Sequence, residues 1–370
     1  MALNLSGESV LILGAGVTGI AVAKSLSAKG ASILFADDQV ESVDGFSVSK
    51  TDQIEISGFS FLVISPGWKE SHPLIVKAQA AGIRLVNEID LAWSFRAELV
   101  PGQKWIALTG TNGKTTTVEM AAAMLRAGGV SAIACGNVGT TVIESVESPE
   151  KYEVLVLELS SFQLHWLREA SFVAAAILNI AEDHLDWHGT FTEYARVKGS
   201  ILDRASTGIF NSADLEVVNQ AAHWQGRKVF FSLDTPAPGE IGIVAELLID
   251  RAFVADPLEA SMFCELKDVV PTVPHNVANA LAAAGLARIV GIDHEKIREA
   301  IKSFTPGRHR IERVLLKDEI TWINDSKATN PHAAAASIMS ALSVIWIAGG
   351  LAKGAAMDEL VARVKSRVRV

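Results

Sequence analysis

Short apolar runs alternate with helix-forming segments along most of the chain. The first apolar run predicts a strand at Ser9–Leu13, followed by a helix to about Lys29 and a second strand at 31–35. The alternation continues with a strand at Phe61–Ile64, a helix at 73–81 and a strand at 83–86. Because strands that are separated by helices pair in parallel, this pattern predicts an α/β fold built on a parallel sheet.

A glycine-rich loop joins the first predicted strand to its helix. Its six residues are Gly14, Ala15, Gly16, Val17, Thr18 and Gly19. Asp37 stands at the end of the second strand, so the segment matches the dinucleotide-binding fingerprint. The pattern indicates that an anionic group approaches the helix N-terminus, but it does not identify the ligand. Close packing of helix on strand, with no ligand, is the alternative.

A second glycine-containing loop lies in the stretch 104–117. An apolar strand ends before Gly110, and a helix-forming run starts after Lys114. This order directs backbone N–H groups and a helix N-terminus at phosphates. Lys114 is expected to reach the terminal phosphates, and the Thr115 hydroxyl a magnesium ion. The loop is shorter than the strict P-loop pattern, in which Leu108 would be a glycine, and a plain helix start is the alternative.

Three more apolar runs predict strands that are buried on both faces of a parallel sheet. They lie at 131–134, 154–157 and 173–178. Polar residues follow them, among them Asn137, Glu158 and His184. Since ligands bind beyond the carboxyl ends of such strands, these side chains are expected to converge on the rim that holds the phosphate loop. Hard oxygen ligands suit Mg²⁺, and Glu158 is the expected carboxylate ligand.

Each of these residues also has a plainer interpretation. Glu158 could be a favourable charge at a helix N-terminus. The cluster of two aspartates and two histidines at 183–188 could cap a helix, or bind zinc, although no cysteine lies near it. From its spacing alone, Lys198 in the next helix is expected to be a surface lysine.

The remaining segments add two candidate polar sites. Pro274 opens a long alanine-rich helix in which Asn276 and Asn279 could either cap the helix or face a ligand. A pair of strands follows at 311–316 and 320–323. After it come a loop dense in polar residues at 325–330 and another strand at 343–348. A final helix of about three turns is expected near the end. The polar loop is a candidate site for an anion or an amino acid.

Composition narrows the class of protein. The chain has 370 residues, a hydrophobic fraction of 49% and a net charge of −9, which fits two or three domains with ample cores. The negative charge argues against a nucleic-acid partner, which would require clustered Lys and Arg. The two cysteines, Cys135 and Cys264, form no disulfide or metal pattern, and no apolar run is long enough for membrane insertion. These features predict a soluble cytoplasmic protein.

Taken together, the motifs resemble those of the Mur ligase family of peptidoglycan synthesis. They lie at 14–19, 110–115, 136–137, 158–163, 182–186, 275–276, 309–310 and 325–330. The resemblance extends from Gly14 to Lys353, and the motifs at 158–163 and 325–330 are similar to those of the D-glutamate-adding branch.

The resemblance implies a three-domain α/β fold. The expected domains are a Rossmann-like UDP-substrate domain at 1–100, a central P-loop ATPase domain with a parallel sheet at 101–307, and a partial Rossmann-like D-glutamate domain at 308–370. It also implies a monomeric ATP- and Mg²⁺-dependent amide ligase. ATP would phosphorylate the alanyl carboxylate of UDP-N-acetylmuramoyl-L-alanine, and the D-glutamate amine would attack the acyl phosphate, because metal ions and a good leaving group make that carboxylate reactive.

The resemblance further implies roles for particular residues. ATP is expected to contact Gly110, Thr111, Asn112, Gly113, Lys114, Thr115, Thr116, Asn276, Asn279, Arg310 and Asp325. The UDP substrate is expected to contact Gly14, Ala15, Gly16, Val17, Thr18, Gly19, Asp37, Ser65, Asn137, Ser160 and His184. D-Glutamate would contact Thr329 and Lys353. The catalytic residues would be Lys114, Glu158, His184 and Lys198, and the metal ligands Thr115, Glu158, His184 and Lys198, the last as a carbamate because an ammonium cannot bind a cation.

Two departures from the family pattern leave other functions open. Leu351-Ala352-Lys353-Gly354 replaces the family's usual Asp-Lys-Gly type of sequence, and the family's C-terminal domain continues well past residue 370. An inactive, shortened homologue that still binds nucleotide is therefore an alternative, with apolar surface exposed around 344–347. A nicotinamide-dependent oxidoreductase built on the 14–19 loop is a further alternative, but it would leave the phosphate loop unexplained.

Overall fold

The structure of the protein is a computed structural model, and it describes residues 4–256, 258–350 and 356–369. Contacts between Cα atoms divide the chain into two compact units. The first comprises Met1–Ala107 and Ser131–Val173, and the second comprises Leu108–Val130 and Ala174–Val370. The three domains expected from the sequence, with boundaries near residues 100 and 307, stay a prediction.

Strands and helices alternate along most of the described chain. The strands are β1 (Ser9–Leu13), β2 (Ser32–Ala36), β3 (Ser47–Ser49), β4 (Phe61–Ile64), β5 (Arg84–Asn87), β6 (Lys104–Thr109), β7 (Ala132–Gly136), β8 (Val154–Glu158), β9 (Ala174–Ile177), β10 (Thr207–Asn211), β11 (Arg227–Phe231), β12 (Glu240–Val244), β13 (Leu247–Asp250), β14 (Ser261–Glu265), β15 (Glu312–Lys317) and β16 (Ile320–Asn324). The helices are α1 (Val17–Ala28), α2 (Pro73–Ala80), α3 (Glu88–Leu99), α4 (Lys114–Ala127), α5 (Val142–Glu147), α6 (Ser161–Trp166), α7 (Leu185–His188), α8 (Phe191–Gly199), α9 (Leu215–Ala222), α10 (Pro274–Val290), α11 (His294–Ser303), α12 (Pro331–Met339) and α13 (Asp358–Val364).

The first unit contains a five-stranded parallel sheet in the order β3-β2-β1-β4-β5. Leu13, the last residue of β1, pairs with Ala36 of β2 and with Ile64 of β4. The loops that follow these three strands therefore leave the sheet at the same edge, where parallel α/β sheets bind ligands. In the same unit β7 pairs in parallel with β8, and Gly136 is the partner of Glu158.

The second unit contains a mixed sheet and a separate hairpin. Strands β9 to β12 pair in parallel in chain order, and β13 and β14 continue the sheet in antiparallel fashion. Helix α10 packs against α4. Ala280, Ala282 and Ala284 of α10 are fully buried, and such small side chains allow close packing. The hairpin β15–β16 pairs only with itself among the described strands.

Most predicted elements are confirmed within one or two residues, but two are wrong. The run at 343–348 is not a strand, because among the residues that the structure describes only Val344 of this run forms a bridge, with Val368, and no neighbouring strand extends the pairing. The last helix, α13, has seven residues and so makes about two turns instead of three. Helix α3 was not predicted. Among the described residues, none of the helices has the length and apolar composition to cross a bilayer.

Candidate active site

The loop that follows β6 is held in place by Asn179, two residues beyond β9. The Thr111 N–H donates to the Asn179 carbonyl at 2.9 Å, and the Asn112 N–H donates to Asn179 Oδ1 at 2.8 Å. Asn179 Nδ2 in turn donates to the Asn112 carbonyl at 3.0 Å. Both polar groups of the Asn112 backbone are therefore fixed by one side chain, which gives the loop a defined shape.

The N-terminus of α4 is open toward this loop because its N-cap residue, Gly113, has no side chain. Gly113 adopts the left-handed conformation, with φ of +82°. A Cβ atom at this position would overlap Asn279 Oδ1 of α10. Gly113 is therefore required twice, for its backbone conformation and for the close approach of Asn279. The N-terminus of a helix can bind an anion through its backbone N–H groups and its dipole.

Lys114 folds back onto its own loop. Its Nζ donates to the Gly110 carbonyl at 2.8 Å and to the Thr111 carbonyl at 3.0 Å. These contacts hold the ammonium group at the loop that the sequence predicts to bind phosphates. The Thr115 side chain, on the next residue, is half-buried, and that of Thr116 is buried.

Lys198 lies beneath the same loop, and the prediction of a surface lysine is wrong. Its side chain is only 1% exposed. Nζ donates to the Gly110 carbonyl at 2.8 Å and to Thr109 Oγ1 at 3.3 Å. It also lies 4.8 Å from the ring centroid of Tyr194, one turn earlier in α8. Spacing did not reveal the burial because α8 also carries exposed charges, such as Arg196.

Tyr194 is the second residue of α8 that supports the loop. Its hydroxyl lies 3.0 Å from Thr111 Oγ1, and Thr111 Oγ1 also contacts the backbone of Ala181. Burial raises the pKa of Tyr194 well above its ordinary value. The side chain therefore stays a neutral hydroxyl that can share a hydrogen bond with Thr111.

His184 adopts the left-handed conformation, with φ of 53°, as the N-cap residue of the short helix α7. The preceding Asp183 contacts it twice: the His184 N–H donates to Asp183 Oδ1 at 3.1 Å, and the ring Nε2 lies 3.6 Å from Asp183 Oδ2. The His184 side chain makes no capping hydrogen bond to α7. Asp183 thus restricts the orientation of the imidazole.

The two asparagines of α10 do not cap this helix, whose N-cap residue is Val273. Both side chains are buried. Asn276 Nδ2 donates to the Pro271 carbonyl at 2.9 Å, while Asn279 lies against Gly113. Burial lowers the pKa of the neighbouring His275, and the charge of Asp325 acts in the opposite direction. The start of α10 therefore lies close to both the phosphate loop and the segment at Asp325.

The segment before α12 contributes several predicted residues. Arg310 lies in the turn before β15, between two residues with positive φ, His309 and Ile311. Asp325 accepts a hydrogen bond from the Ile311 N–H at 3.0 Å and another from the Ser337 hydroxyl. Thr329 is exposed. Lys353 lies outside the described residues.

The glycine loop after β1 is closed by Asp37. One carboxylate oxygen accepts the Ala15 N–H at 2.8 Å, and the other accepts the N–H groups of Gln39 and Val40 at 2.8 and 2.9 Å. Burial alone would raise the pKa of Asp37, but these backbone donors and Lys50 outweigh burial and lower it. Asp37 is therefore ionised at neutral pH, and it holds the first turn of the loop.

Other residues of this loop are also in position. Gly19 packs so closely on the Gly14 carbonyl that any Cβ would overlap it. The Ser65 hydroxyl, at the end of β4, lies 3.4 Å from the same carbonyl oxygen. Three predicted contacts of the UDP substrate, namely Gly14, Asp37 and Ser65, thus meet at one edge of the five-stranded sheet.

Asn137 and Glu158 form a pair at the ends of β7 and β8. Asn137 Nδ2 donates to Glu158 Oε1 at 2.8 Å, and the Asn137 N–H donates to the Glu158 carbonyl at 2.9 Å. Glu158 is 2% exposed. Ser160 begins α6 as its N-cap residue and forms a capping box with Gln163. The helix N-terminus next to Glu158 is therefore capped by Ser160, and the Glu158 carboxylate is bonded to Asn137.

No cluster of three or more His, Cys, Asp or Glu side chains suitable for a metal ion occurs in the described part of the chain. The magnesium ligands predicted from the sequence include other groups as well. They are the Thr115 hydroxyl, the Glu158 carboxylate, the His184 imidazole and a carbamate on Lys198. The convergence of Asn137, Glu158 and His184 on one rim stays a prediction.

Comparisons with known proteins identify a matching family model and similar folds. A model of the Mur ligase middle domain matches residues 108–287. A pseudomurein peptide ligase type C from Methanothermus fervidus has a similar fold, with a TM-score of 0.54 at 20% identity, over 90% of this chain and 77% of that structure. UDP-N-acetylmuramate-alanine ligase from Thermotoga maritima gives a TM-score of 0.53 at 19% identity, over 90% and 77% of the two chains.

Sequence relatives are closer. One protein from Thermobifida fusca is 44% identical over 99% of this chain and 82% of its own length, and one from Streptomyces coelicolor is 41% identical over the same shares. The chain therefore belongs to the Mur ligase family of ATP-dependent, amide-bond-forming ligases. Both relatives are named UDP-N-acetylmuramoylalanine–D-glutamate ligase. The family resemblance and the α/β fold class expected from the sequence are confirmed.

Two positioning features were missed by the sequence analysis. The first is Asn179, which follows an apolar strand and holds Asn112. The second is Tyr194, which lies beneath the loop beside Lys198, a residue that the family resemblance had already singled out. Their spacing of four residues places them on one helix face, and this was the available signal.

Proposed function

We propose that this protein joins D-glutamate to UDP-N-acetylmuramoyl-L-alanine, with ATP as the energy source, in cytoplasmic synthesis of peptidoglycan precursors. The observation that carries the proposal is the 44% identity, over 99% of this chain, to a relative named for that reaction. The chain is proposed to act as a monomer. Two separate glycine loops support the assignment, because one nucleotide substrate and one UDP-linked substrate each need a phosphate-binding site.

The chemistry requires activation of a carboxylate, which does not react with amines until a good leaving group is attached. The γ-phosphate of ATP is transferred to the alanyl carboxylate, and the D-glutamate amine then displaces phosphate from the acyl phosphate. Lys114 would move from the carbonyls of Gly110 and Thr111 to the terminal phosphates, because an anionic oxygen is a stronger acceptor than a neutral carbonyl. Catalysis of this kind consists mainly of positioning and charge neutralisation.

Magnesium fits the donors that the chain offers, since hard cations prefer oxygen ligands and retain phosphate and water oxygens in their shell. We assign the Thr115 hydroxyl and the Glu158 carboxylate to it, with His184 and a carbamate on Lys198. The hydrogen bond from Asn137 would orient the Glu158 carboxylate. Bound Mg²⁺ would neutralise the crowded phosphate charge.

The remaining residues are assigned to the three substrates. Asp37 is ionised and can accept hydrogen bonds from the sugar hydroxyls of the UDP substrate, with the 14–19 loop and Ser65 beside it. Asn276, Asn279, Arg310 and Asp325 are assigned to ATP. Thr329 and Lys353 are assigned to D-glutamate.

The proposal is tested by measuring ADP release from ATP and UDP-N-acetylmuramoyl-L-alanine, with D-glutamate, with L-glutamate or with no amino acid. We expect release that requires D-glutamate, with L-glutamate as the matched control. Binding of ATP and the UDP substrate without release would make this chain an inactive homologue that binds nucleotide. Binding of neither ligand would contradict the assignment of both glycine loops.

A further inference from the structure

Two asparagine side chains join the loop at 325–330 to the phosphate loop. Asn330 Nδ2 donates to Asn112 Oδ1 across 2.8 Å, although 218 residues separate them in the sequence. Both side chains are half-buried. A hydrogen bond between two ordered, partly desolvated amides can restrict both segments, because its geometry is directional.

Each of the two residues is also fixed at its other end. Asn179 holds both the N–H and the carbonyl of Asn112, at 2.8 and 3.0 Å. Asn330 Oδ1 accepts the Ala333 N–H at 2.9 Å, and so caps α12. The hydrogen bonds therefore run without interruption from Asn179, through the phosphate loop, to the N-terminus of α12.

We propose that Asn330 is a positioning residue for the amide-forming step, because its side-chain amide fastens the loop at 325–330 to the phosphate loop. This inference rests on the proposed function, in which Asn112 contacts ATP and Thr329 contacts D-glutamate. The bond places the segment of Thr329 next to the nucleotide loop, where the amine has to meet the activated carboxylate. A fixed approach of this kind lowers the entropy cost of the second step.

The chemistry of asparagine explains why this residue suits the position. Its carbonyl oxygen caps the helix while its NH₂ group donates to Asn112, so both functions come from one amide. Serine and aspartate are equally good helix caps. Neither of them presents an N–H donor, and serine is also shorter. Asn330→Ser and Asn330→Asp therefore separate the contact to Asn112 from the cap.

The kinetic test uses the full chain. We expect Asn330→Ser and Asn330→Asp to raise the KM for D-glutamate by about 2- to 10-fold, the range that one hydrogen bond of 0.5–1.5 kcal/mol allows. In Asn330→Ser, which adds no charge beside the phosphate loop, binding of a non-hydrolysable ATP analogue should change less than about twofold, since the remaining loop contacts are intact. Asn219→Ser, at an exposed position of α9, is the matched control and should leave both quantities unchanged. An unchanged KM for D-glutamate would overturn the positioning role.

A second measurement does not depend on turnover. The N–H groups of Lys327 and Ala328 donate to backbone carbonyls in the structure, of His309 and Asp325. In the ligand-free chain, the amide hydrogens of Lys327 and Ala328 should exchange about 2- to 10-fold faster in Asn330→Ser. Adding Asn112→Ala to Asn330→Ser should not increase these exchange rates further, because both changes remove the same hydrogen bond. Unchanged exchange would overturn the fastening. If the unaltered chain shows no D-glutamate-dependent turnover, the proposed function fails, and this exchange cycle alone decides whether Asn330 fastens the loop.

Discussion

The side chain of Glu88 is a carboxylic acid buried between two helices, α3 and α5. It is 4% exposed, and its Oε1 accepts the N–H of Ile143 at 2.7 Å. Burial raises its pKa to about 7, and Glu144 adds to the increase, while hydrogen bonds from the backbone of Ile143 and Val142 oppose it. Glu88 therefore becomes ionised near neutral pH. It lies against α5, the helix that follows the loop at Asn137.

This pKa predicts that stability falls as pH rises toward 7. Between the ordinary pKa of 4.5 and about 7, the folded chain keeps a proton on Glu88 that the unfolded chain has lost. The free energy of unfolding should therefore decrease through this window, by about 3 kcal/mol in total. In Glu88→Gln this decrease should be largely absent in urea unfolding at pH 5 and pH 7.5. Glu98→Gln, at an exposed position of the same helix, should retain it. A slope that survives in Glu88→Gln would show that other groups cause it.

Lys198 carries a second prediction at this scale. Lys198→Met keeps the length and the apolar stem, but it removes the amine that contacts Gly110 and Thr109 and that would carry the carbamate. We expect kcat to fall by roughly 100-fold or more, equivalent to about 2.7 kcal/mol, because charge next to the phosphates is lost. Arg196→Met on the exposed face of α8 is the control and should stay within about twofold. Turnover in Lys198→Met close to that of the control would remove Lys198 from the catalytic residues.

At the scale of elements, the start of α4 depends on the fit between two helices. Gly113 and Gly129 flank α4, and both have φ of +82°. Alanine at either position costs about 1 kcal/mol through its backbone conformation. A Cβ on Gly113 would also overlap Asn279, whereas one on Gly129 meets no atom within 4 Å. The two glycines therefore separate backbone strain from packing.

We predict that Gly113→Ala weakens nucleotide binding by roughly tenfold or more, because α10 and the phosphate loop can no longer approach each other. Gly129→Ala should leave the affinity within about twofold and lower only the free energy of unfolding. Calorimetric titration of a non-hydrolysable ATP analogue measures the difference. Equal affinities for the two variants would show that the contact of Asn279 with Gly113 does not shape the binding site.

The predictions from the sequence were best where one element determines its own structure. Strands such as β1 and β4 were predicted to the residue because continuous apolar runs and flanking glycines are local signals. The run at 343–348 has the same local signal, yet it is not a strand, because a strand also needs a neighbour. The four-residue spacing of Tyr194 and Lys198 places both on one face of α8, but the contact that buries the Lys198 amine depends on the distant loop at Gly110.

At the scale of the whole molecule, apolar side chains are exposed in the region after α11. The hairpin β15–β16 exposes Leu316 and Trp322, and Ile345 and Ile347 are exposed near Val344. Among the residues described in this region, a small cluster of buried side chains forms a core, at Ala335, Ile338, Leu360 and Val364. The exposure expected at 344–347 is confirmed for Ile345 and Ile347, whereas Val344 and Trp346 are partly buried against this core. Apolar surface of this kind favours association.

We predict that Ile347→Lys reduces aggregation of the chain at high concentration, because Ile347 is 81% exposed within an apolar surface. Leu215→Lys is the matched control, since Leu215 is 76% exposed on α9, outside the region that follows α11. Light scattering should show that the apparent molar mass rises less steeply with protein concentration for Ile347→Lys, and that Leu215→Lys does not change this rise. An equal change in the two variants would assign the effect to net charge and not to this surface.

The sequence by itself determined the class of fold, the two glycine loops and the family. These features follow from local order: apolar runs, glycines at turns and the acidic residue after β2 are encoded by neighbours in the chain. Only the tertiary structure decided which distant side chains support the loops. Asn179 reaches the phosphate loop from beyond the carboxyl end of β9, Lys198 reaches it from α8, and Asn330 reaches Asn112 across 218 residues. Such contacts depend on how separate segments pack, and no spacing within a single segment specifies them.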